Sequence, residues 1–305
     1  MLRGMIAMLM LVSTIAAGAA SPDGERRVAW TGLATMGGDA NWFNESDMFA
    51  ARSRARPALA FPGLPIGATA RGADRLAHIG DAPIITFVHY NRAAYGHIRR
   101  QRLYSAATLR ALVRRGVRQI PPFPKAATVM MTGWWPVAAH QATPLPVWDS
   151  PPPGAPVPRD YVSWPRIVVV SADSHATAPK RIAFAGRDFA DPRGVEISRF
   201  RHVRIDAAMA RRLMADAGAR KAALIALERP LIAGDQLVLV AMHLLSYARP
   251  GGQWSTFWWH DRPDRGRFAQ DRPAGLPAPW HNYLMDQTSD AARPVEPDGS
   301  PRICF

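Results

Sequence analysis

Away from the N-terminus, the longest apolar run is Gln236–Tyr247 (QLVLVAMHLLSY), with a Gly234-Asp235 turn before it and Pro250-Gly251-Gly252 after it. A run of this length, bounded by turn residues and rich in β-branched and large apolar side chains, reads as a buried strand. The Pro-Gly-Gly turn then delivers the chain into Trp254–Trp259, which predicts a β-hairpin with a longer loop. Similar short runs recur. Pro83–Tyr90 (PIITFVHY), Ala127–Trp135 and Arg166–Ser171 (RIVVVS) read as strands, and Phe200–Ile205 alternates as a half-exposed one. The chain carries 23 Gly and 28 Pro among 305 residues, about a sixth of the total against the ~12% of ordinary proteins, so many turns and short elements are expected.

Two helices stand out against this background. Ser105 is an N-cap for Ala106–Arg115, in which Leu109, Leu112 and Val113 share a face and Gly116 ends the run. Basic residues in its last turn suit the helix dipole. Asp206 caps a second helix, with Met209 and Leu213 one turn apart and Gly218 as its expected stop. The fold class that follows is α+β and β-rich: a sheet-based domain with about two helices packed alongside. Residues 50–75 read as a surface loop, as does most of the chain after His260. The Pro-dense segment Pro144–Pro158 (PLPVWDSPPPGAPVP) either divides residues 21–305 into two parts or crosses the surface of one domain; we favour the second.

The first twenty residues form a separate unit. Arg3, the apolar Met5–Ile15 and the small residues Ala16–Ala20 have the order of a secretory signal peptide, with cleavage after Ala19 or Ala20. A periplasmic or secreted protein is therefore expected. No later stretch approaches 18 unbroken apolar residues, so no transmembrane segment is expected in the mature chain. Export permits disulfides, yet the only Cys, Cys304, cannot pair within the chain.

The chain has 38 basic and 24 acidic residues, a net charge of +14. All basic residues except Lys125, Lys180 and Lys221 are arginines, some clustered as in Arg99-Arg100-Gln101-Arg102 and Arg114-Arg115. A GC-rich genome explains that usage, and a basic face for anionic lipid or another polyanion is the functional alternative. The clusters lack the interleaved aromatics of a nucleic-acid module, so no nucleic-acid partner is expected.

No catalytic fingerprint is present: no Gly-x-Ser-x-Gly elbow, phosphate loop, His-Glu-x-x-His or dinucleotide motif. His89 and His97 lie eight apart, a spacing with no fixed geometry for a shared metal. The Asp173-Ser174-His175 neighbours face different ways in any regular element and do not make a triad. The distinctive segment is Trp254-Ser255-Thr256-Phe257-Trp258-Trp259-His260-Asp261. In a strand, Trp254, Thr256 and Trp258 face one side, and Phe257 and Trp259 the other. These aromatics are either core plugs or one wall of a ligand pocket, with Trp258, Trp259, His260, Asp261 and His243 as candidate ligand contacts. Trp134-Trp135-Pro136, Pro146-Val147-Trp148-Asp149 and Trp280-His281-Asn282-Tyr283 present the same alternatives.

Several of these words together resemble one family. Gly133-Trp134-Trp135-Pro136-Val137, Leu145-Pro146-Val147-Trp148-Asp149, Gly234–His243, Trp254–Asp261 and Pro279-Trp280-His281-Asn282-Tyr283-Leu284-Met285-Asp286 are similar to segments of exported bacterial cytochrome-c-like proteins. These are often described as cytochrome c family or hypothetical proteins. The resemblance implies a redox or electron-transfer role in the complete protein and a periplasmic redox partner. It also implies a Cys-x-x-Cys-His segment beyond the equivalent of Ile303-Cys304-Phe305. This chain is then C-terminally incomplete or a haem-free relative. No cofactor is expected within these residues, haem c belonging only to a longer product. The second reading is a binding module that holds a small molecule or glycan on its Trp clusters; a hydrolase, built on the scattered His and Asp residues, is the third.

Overall fold

In the computed structural model the described residues are 22–36, 43–44, 84–117, 120–149, 164–172, 178–248, 252–266, 268–269 and 271–288. They form twelve strands: β1 (Phe43–Asn44), β2 (Ile85–Tyr90), β3 (Thr128–Val137), β4 (Thr143–Pro146), β5 (Ile167–Ser171), β6 (Arg181–Phe184), β7 (Arg187–Ala190), β8 (Arg193–Glu196), β9 (His202–Arg204), β10 (Gln236–Ser246), β11 (Gln253–Trp259) and β12 (Tyr283–Thr288). Five helices accompany them: α1 (Pro22–Met36), α2 (Arg92–Arg100), α3 (Ala106–Arg114), α4 (Ala207–Met214) and α5 (Ala217–Leu227). The signal-peptide segment, the 50–75 loop, Asp173-Ser174-His175 and Cys304 lie outside the described residues.

The apolar run over β10 becomes the middle of a seven-stranded antiparallel sheet, ordered β1-β2-β3-β10-β11-β12, with β9 also pairing the start of β10. The hairpin expected across Pro250–Gly252 is present, running from Ala241 opposite Trp258 to Ser246 opposite Gln253. Both faces of this sheet are covered, which explains why β10 reads as a continuous apolar run rather than an alternation. One face meets the main core, built from Trp30 and Leu33 of α1, from α4 and α5, and from the smaller β4-β5-β8 sheet. The other meets α2 and α3 through Ala94, Ile98, Leu103 and Leu109.

The class is the expected one, α+β and mostly β, but with five helices among the described residues rather than about two. Ser105 caps α3 as read, accepting from Thr108 N, and Gly116 ends it in a left-handed conformation at φ +73°. Asp206 caps α4. That helix stops at Met214, however, and Gly218 is not a stop: Asp216 caps α5 with a 2.8 Å bond from Ala219 N, and Gly218 is buried in its first turn. α1 starts at Pro22, although Ser21-Pro22-Asp23-Gly24 reads locally as turn residues; the first helical position tolerates proline because its N–H has no partner there. α2 is capped by Asn91, whose side chain accepts from Ala94 N at 2.9 Å. The described residues after His260 are largely irregular, as read, except that β12 returns to pair β11. Of the Pro-dense segment, Thr143–Pro146 is a strand on the edge of its sheet, where prolines cost no ladder bond. No helix among the described residues is long and apolar enough to cross a membrane.

Candidate functional site

The alternation read in Trp254–Trp259 holds and decides the fate of each ring. Phe257 and Trp259 face the main core: Trp259 stacks on Phe200 at 4.1 Å between centroids, and its Nε1 donates to the Arg199 carbonyl. Trp258 faces the other way, against Phe268, Leu284 and Trp148. Trp254 lies over His243 on that same side of the sheet but with the α2–α3 layer.

Where β11 ends, the chain bends inward and buries both polar residues that follow. Asp261 has a fully buried side chain, and Arg166, at the entrance to β5, closes on it with two parallel bonds of 3.0 and 2.9 Å. The same guanidinium turns its other edge to Asp149, with two bonds of 2.7 Å. Asp149 is brought there by the chain leaving β4, which stays beside the β5 entrance through a bond from Val147 N to the Arg166 carbonyl. His260 completes the group. Its Nδ1 accepts from Arg262 N at 2.9 Å, so the ring proton sits on Nε2, which donates to Asp149 at 3.0 Å. Arg193 of β8 adds a bond to the Asp261 carbonyl.

Electrostatics follow from this packing. Burial works to raise both carboxyls, but the hydrogen bonds and charge of Arg166, with His260 beside them, outweigh it and hold Asp149 and Asp261 below the usual carboxylate range. The bond to Asp149, with further support from Asp261, raises the Arg166 guanidinium. The four groups are thus paired with one another and with the neighbouring Arg193 and Arg262. His260 has no nitrogen left to take a substrate proton, and neither carboxylate is a free base. A hydrolytic centre here would need at least one of them free.

Beside this polar lock lies an aromatic group. Trp148 and Trp164 approach to 5.3 Å between centroids, Trp148 packs on Trp258, and Trp258 meets Phe268 edge-on at 5.0 Å. Three buried tryptophans of the main core have a partner for the indole N–H: Trp134 bonds Thr132, Trp135 the Pro144 carbonyl and Trp259 the Arg199 carbonyl. Trp164 and Trp258 differ, for the Nε1 of each is shut from water and has no acceptor among the described residues.

Of the residues singled out from the sequence, the structure brings Trp258, His260 and Asp261 together. Trp259 lies on the opposite face. His243 lies further along β10, paired with Thr256 Oγ1 at 2.9 Å, where burial lowers its pKa to about 4. His89 and His97 occupy opposite faces of the large sheet, the first against Thr132 and the second against Phe123, and share no site. Trp280 and Tyr283 are core residues, the Tyr283 hydroxyl donating to the Leu239 carbonyl at 2.8 Å. Covalent haem requires two cysteines and a histidine in one short segment, and with Cys304 as the only cysteine these residues do not fit that group. Met242 is in the main core and His243 on the other face, so the pair offers no common ligand position either.

Arg166 and Trp164 were not anticipated. Their local signal is slight: an Arg at the mouth of an apolar strand and a Trp next to a proline. No family model, curated protein or solved structure matches the chain.

Proposed function

We propose that this protein is a binding module for a small uncharged molecule bearing hydroxyl and carbonyl oxygens, a glycan in the first place, held on the Trp148–Trp164–Trp258–Phe268 group. The observation that carries this reading is the pair of indole N–H groups at Trp164 and Trp258 that have no acceptor among the described residues. A buried donor left unpaired costs about 1–3 kcal/mol, and an incoming oxygen that accepts from it recovers that cost. Aromatic faces with a few directed donors suit the C–H faces and oxygens of a sugar. The adjoining charges satisfy one another, which favours an uncharged ligand. His260 and Asp261 serve in this reading as the support that fixes Asp149 and the strand ends, not as ligand contacts.

The test is titration of intrinsic Trp fluorescence with neutral mono- and oligosaccharides of glucose and N-acetylglucosamine. Saturable quenching is expected, weakened at least tenfold by Trp258→Phe or Trp164→Phe. Trp259→Phe, which removes a satisfied core N–H, is expected to lower stability and leave affinity unchanged. No saturable change with any of these sugars, or equal weakening by Trp259→Phe, overturns the proposal.

A further inference from the structure

Charge is distributed very unevenly along this chain. Between Asp81 and Asp149 there are eight arginines, one lysine and no acidic residue. The fold gathers much of that stretch into α2, α3 and the turn between them, on the outer side of the large sheet. Their apolar sides are committed inward through Ala94, Ile98, Leu103 and Leu109, so the arginines have only the outside to occupy. Arg100, Arg102, Arg110, Arg114 and Arg115 are all exposed, and their side chains have no ion pair or hydrogen bond among the described residues. Arg229 and Arg272, both part-buried, are by contrast paired with Asp235 and Asp264.

The end of α3 adds a second feature. Gly116 N bonds the Val113 carbonyl and Val117 N the Leu112 carbonyl, a double-bonded C-terminal cap with the glycine left-handed. The cap does not tuck the flanking valines away. Val113 is 53% and Val117 38% exposed, among the few large apolar side chains left in water. Positions 110, 113, 114 and 117 fall three, four and seven apart, so arginine and valine alternate down one stripe of the helix and its cap.

We infer that the α2–α3 face docks on an anionic lipid bilayer. Guanidinium groups bind lipid phosphates with paired bonds, while valines interspersed among them enter the headgroup–acyl boundary. A nucleic acid or a soluble polyanion would use the arginines but has no place for the two valines. Each helix has nine residues, hence is about 14 Å long, and lies against the sheet rather than free of it, so docking is peripheral. This inference is independent of the Trp site, which uses other residues.

The experiment is sedimentation of the full chain with vesicles of phosphatidylcholine alone and of phosphatidylcholine with 30% phosphatidylglycerol, about 0.1 M salt being low enough to leave such attraction unscreened beyond contact range. Partition onto the anionic vesicles at least tenfold above the neutral ones is expected, falling with salt. Arg110→Glu/Arg114→Glu/Arg115→Glu should reduce it at least tenfold, and Val113→Asp severalfold. The same charge change on the opposite layer, Arg211→Glu/Arg212→Glu/Lys221→Glu, should leave most of the binding. Circular dichroism of each variant establishes that it is folded. Equal binding to both vesicle types overturns the inference, as does unchanged binding by the α3 variant, which would assign attachment to the apolar N-terminal segment. Binding to heparin or duplex DNA without binding to anionic vesicles overturns it in favour of a polyanion.

Discussion

Arg166 spends four of its hydrogen bonds on two carboxylates that differ in one respect. The Asp261 side chain is fully buried, while that of Asp149 is 39% exposed. A buried charge stripped of its partner cannot recover its hydration, which costs about 3–5 kcal/mol, whereas an exposed one is rescued by water. Arg166→Ala is therefore expected to destabilise by that amount, and Asp149→Asn by under about 1 kcal/mol. The double variant Arg166→Ala/Asp261→Asn should recover part of the loss, since the two residues act as one unit. Urea midpoints of the three variants decide the matter: equal losses from Asp149→Asn and Arg166→Ala would mean that the cluster behaves as surface charge throughout. Asp235 follows the same logic at another turn. Its buried carboxylate takes two bonds from Arg229 and others from Ile232 N and Ala139 N.

At the level of elements, caps and crossings account for the layout. α3, α4 and α5 each start on a Ser or Asp side chain that accepts from the backbone three residues on, a local device visible in the sequence as a short polar residue before an apolar periodicity. α3 ends on Gly116 because only glycine is easy at φ +73°. A Cβ added there meets nothing within 4 Å, so Gly116→Ala isolates the backbone term. It is expected to cost about 1–2 kcal/mol, read from the thermal midpoint, with no change in the packing of Leu109. A variant as stable as the parent would show that the cap does not terminate the helix. β12 illustrates the opposite situation. Nothing local announces Tyr283–Thr288 as a strand, and it forms because the exposed edge of β11 is there to receive it from Trp254 to Trp259.

For the whole molecule, burial of neutral imidazoles sets the acid response. Burial pushes His89 down to about 3 and His243 down to about 4, while an unfolded chain takes up protons near 6.5. Between those values the unfolded state binds more protons, so stability is full above about pH 6.5 and declines as pH falls towards 4. Below about 4 the depressed carboxylates Asp149, Asp235 and Asp261 extend the loss, since the stability they contribute is present above their unfolded pKa and disappears as they protonate. The urea midpoint should thus hold down to about pH 6.5 and drop from there to pH 5, and His243→Gln should flatten that interval. An unchanged slope in the variant would mean that His243 is not held neutral by its surroundings.

The features legible in the sequence are those that a residue shares with its near neighbours. The β-rich α+β class, the hairpin across Pro250–Gly252, the caps at Ser105 and Asp206 and the two-sided alternation of Trp254–Trp259 all rest on period, turn chemistry or hydrogen bonds a few residues long. Where neighbours gave a mixed signal, local reading failed, as at Pro22 and Gly218, each compatible with a turn and with the first turn of a helix. The candidate site was half visible: Trp258, His260 and Asp261 drew attention by composition. The partners that define their roles lie 111 residues away for His260 with Asp149 and 95 for Asp261 with Arg166. No period or motif encodes such pairings. Only the tertiary structure settled that Trp259 is core while Trp258 faces a second cluster, and that His260 has both nitrogens engaged. The physical reason is that burial and partner choice depend on which strand edges meet, a property of the packed sheet rather than of any segment within it.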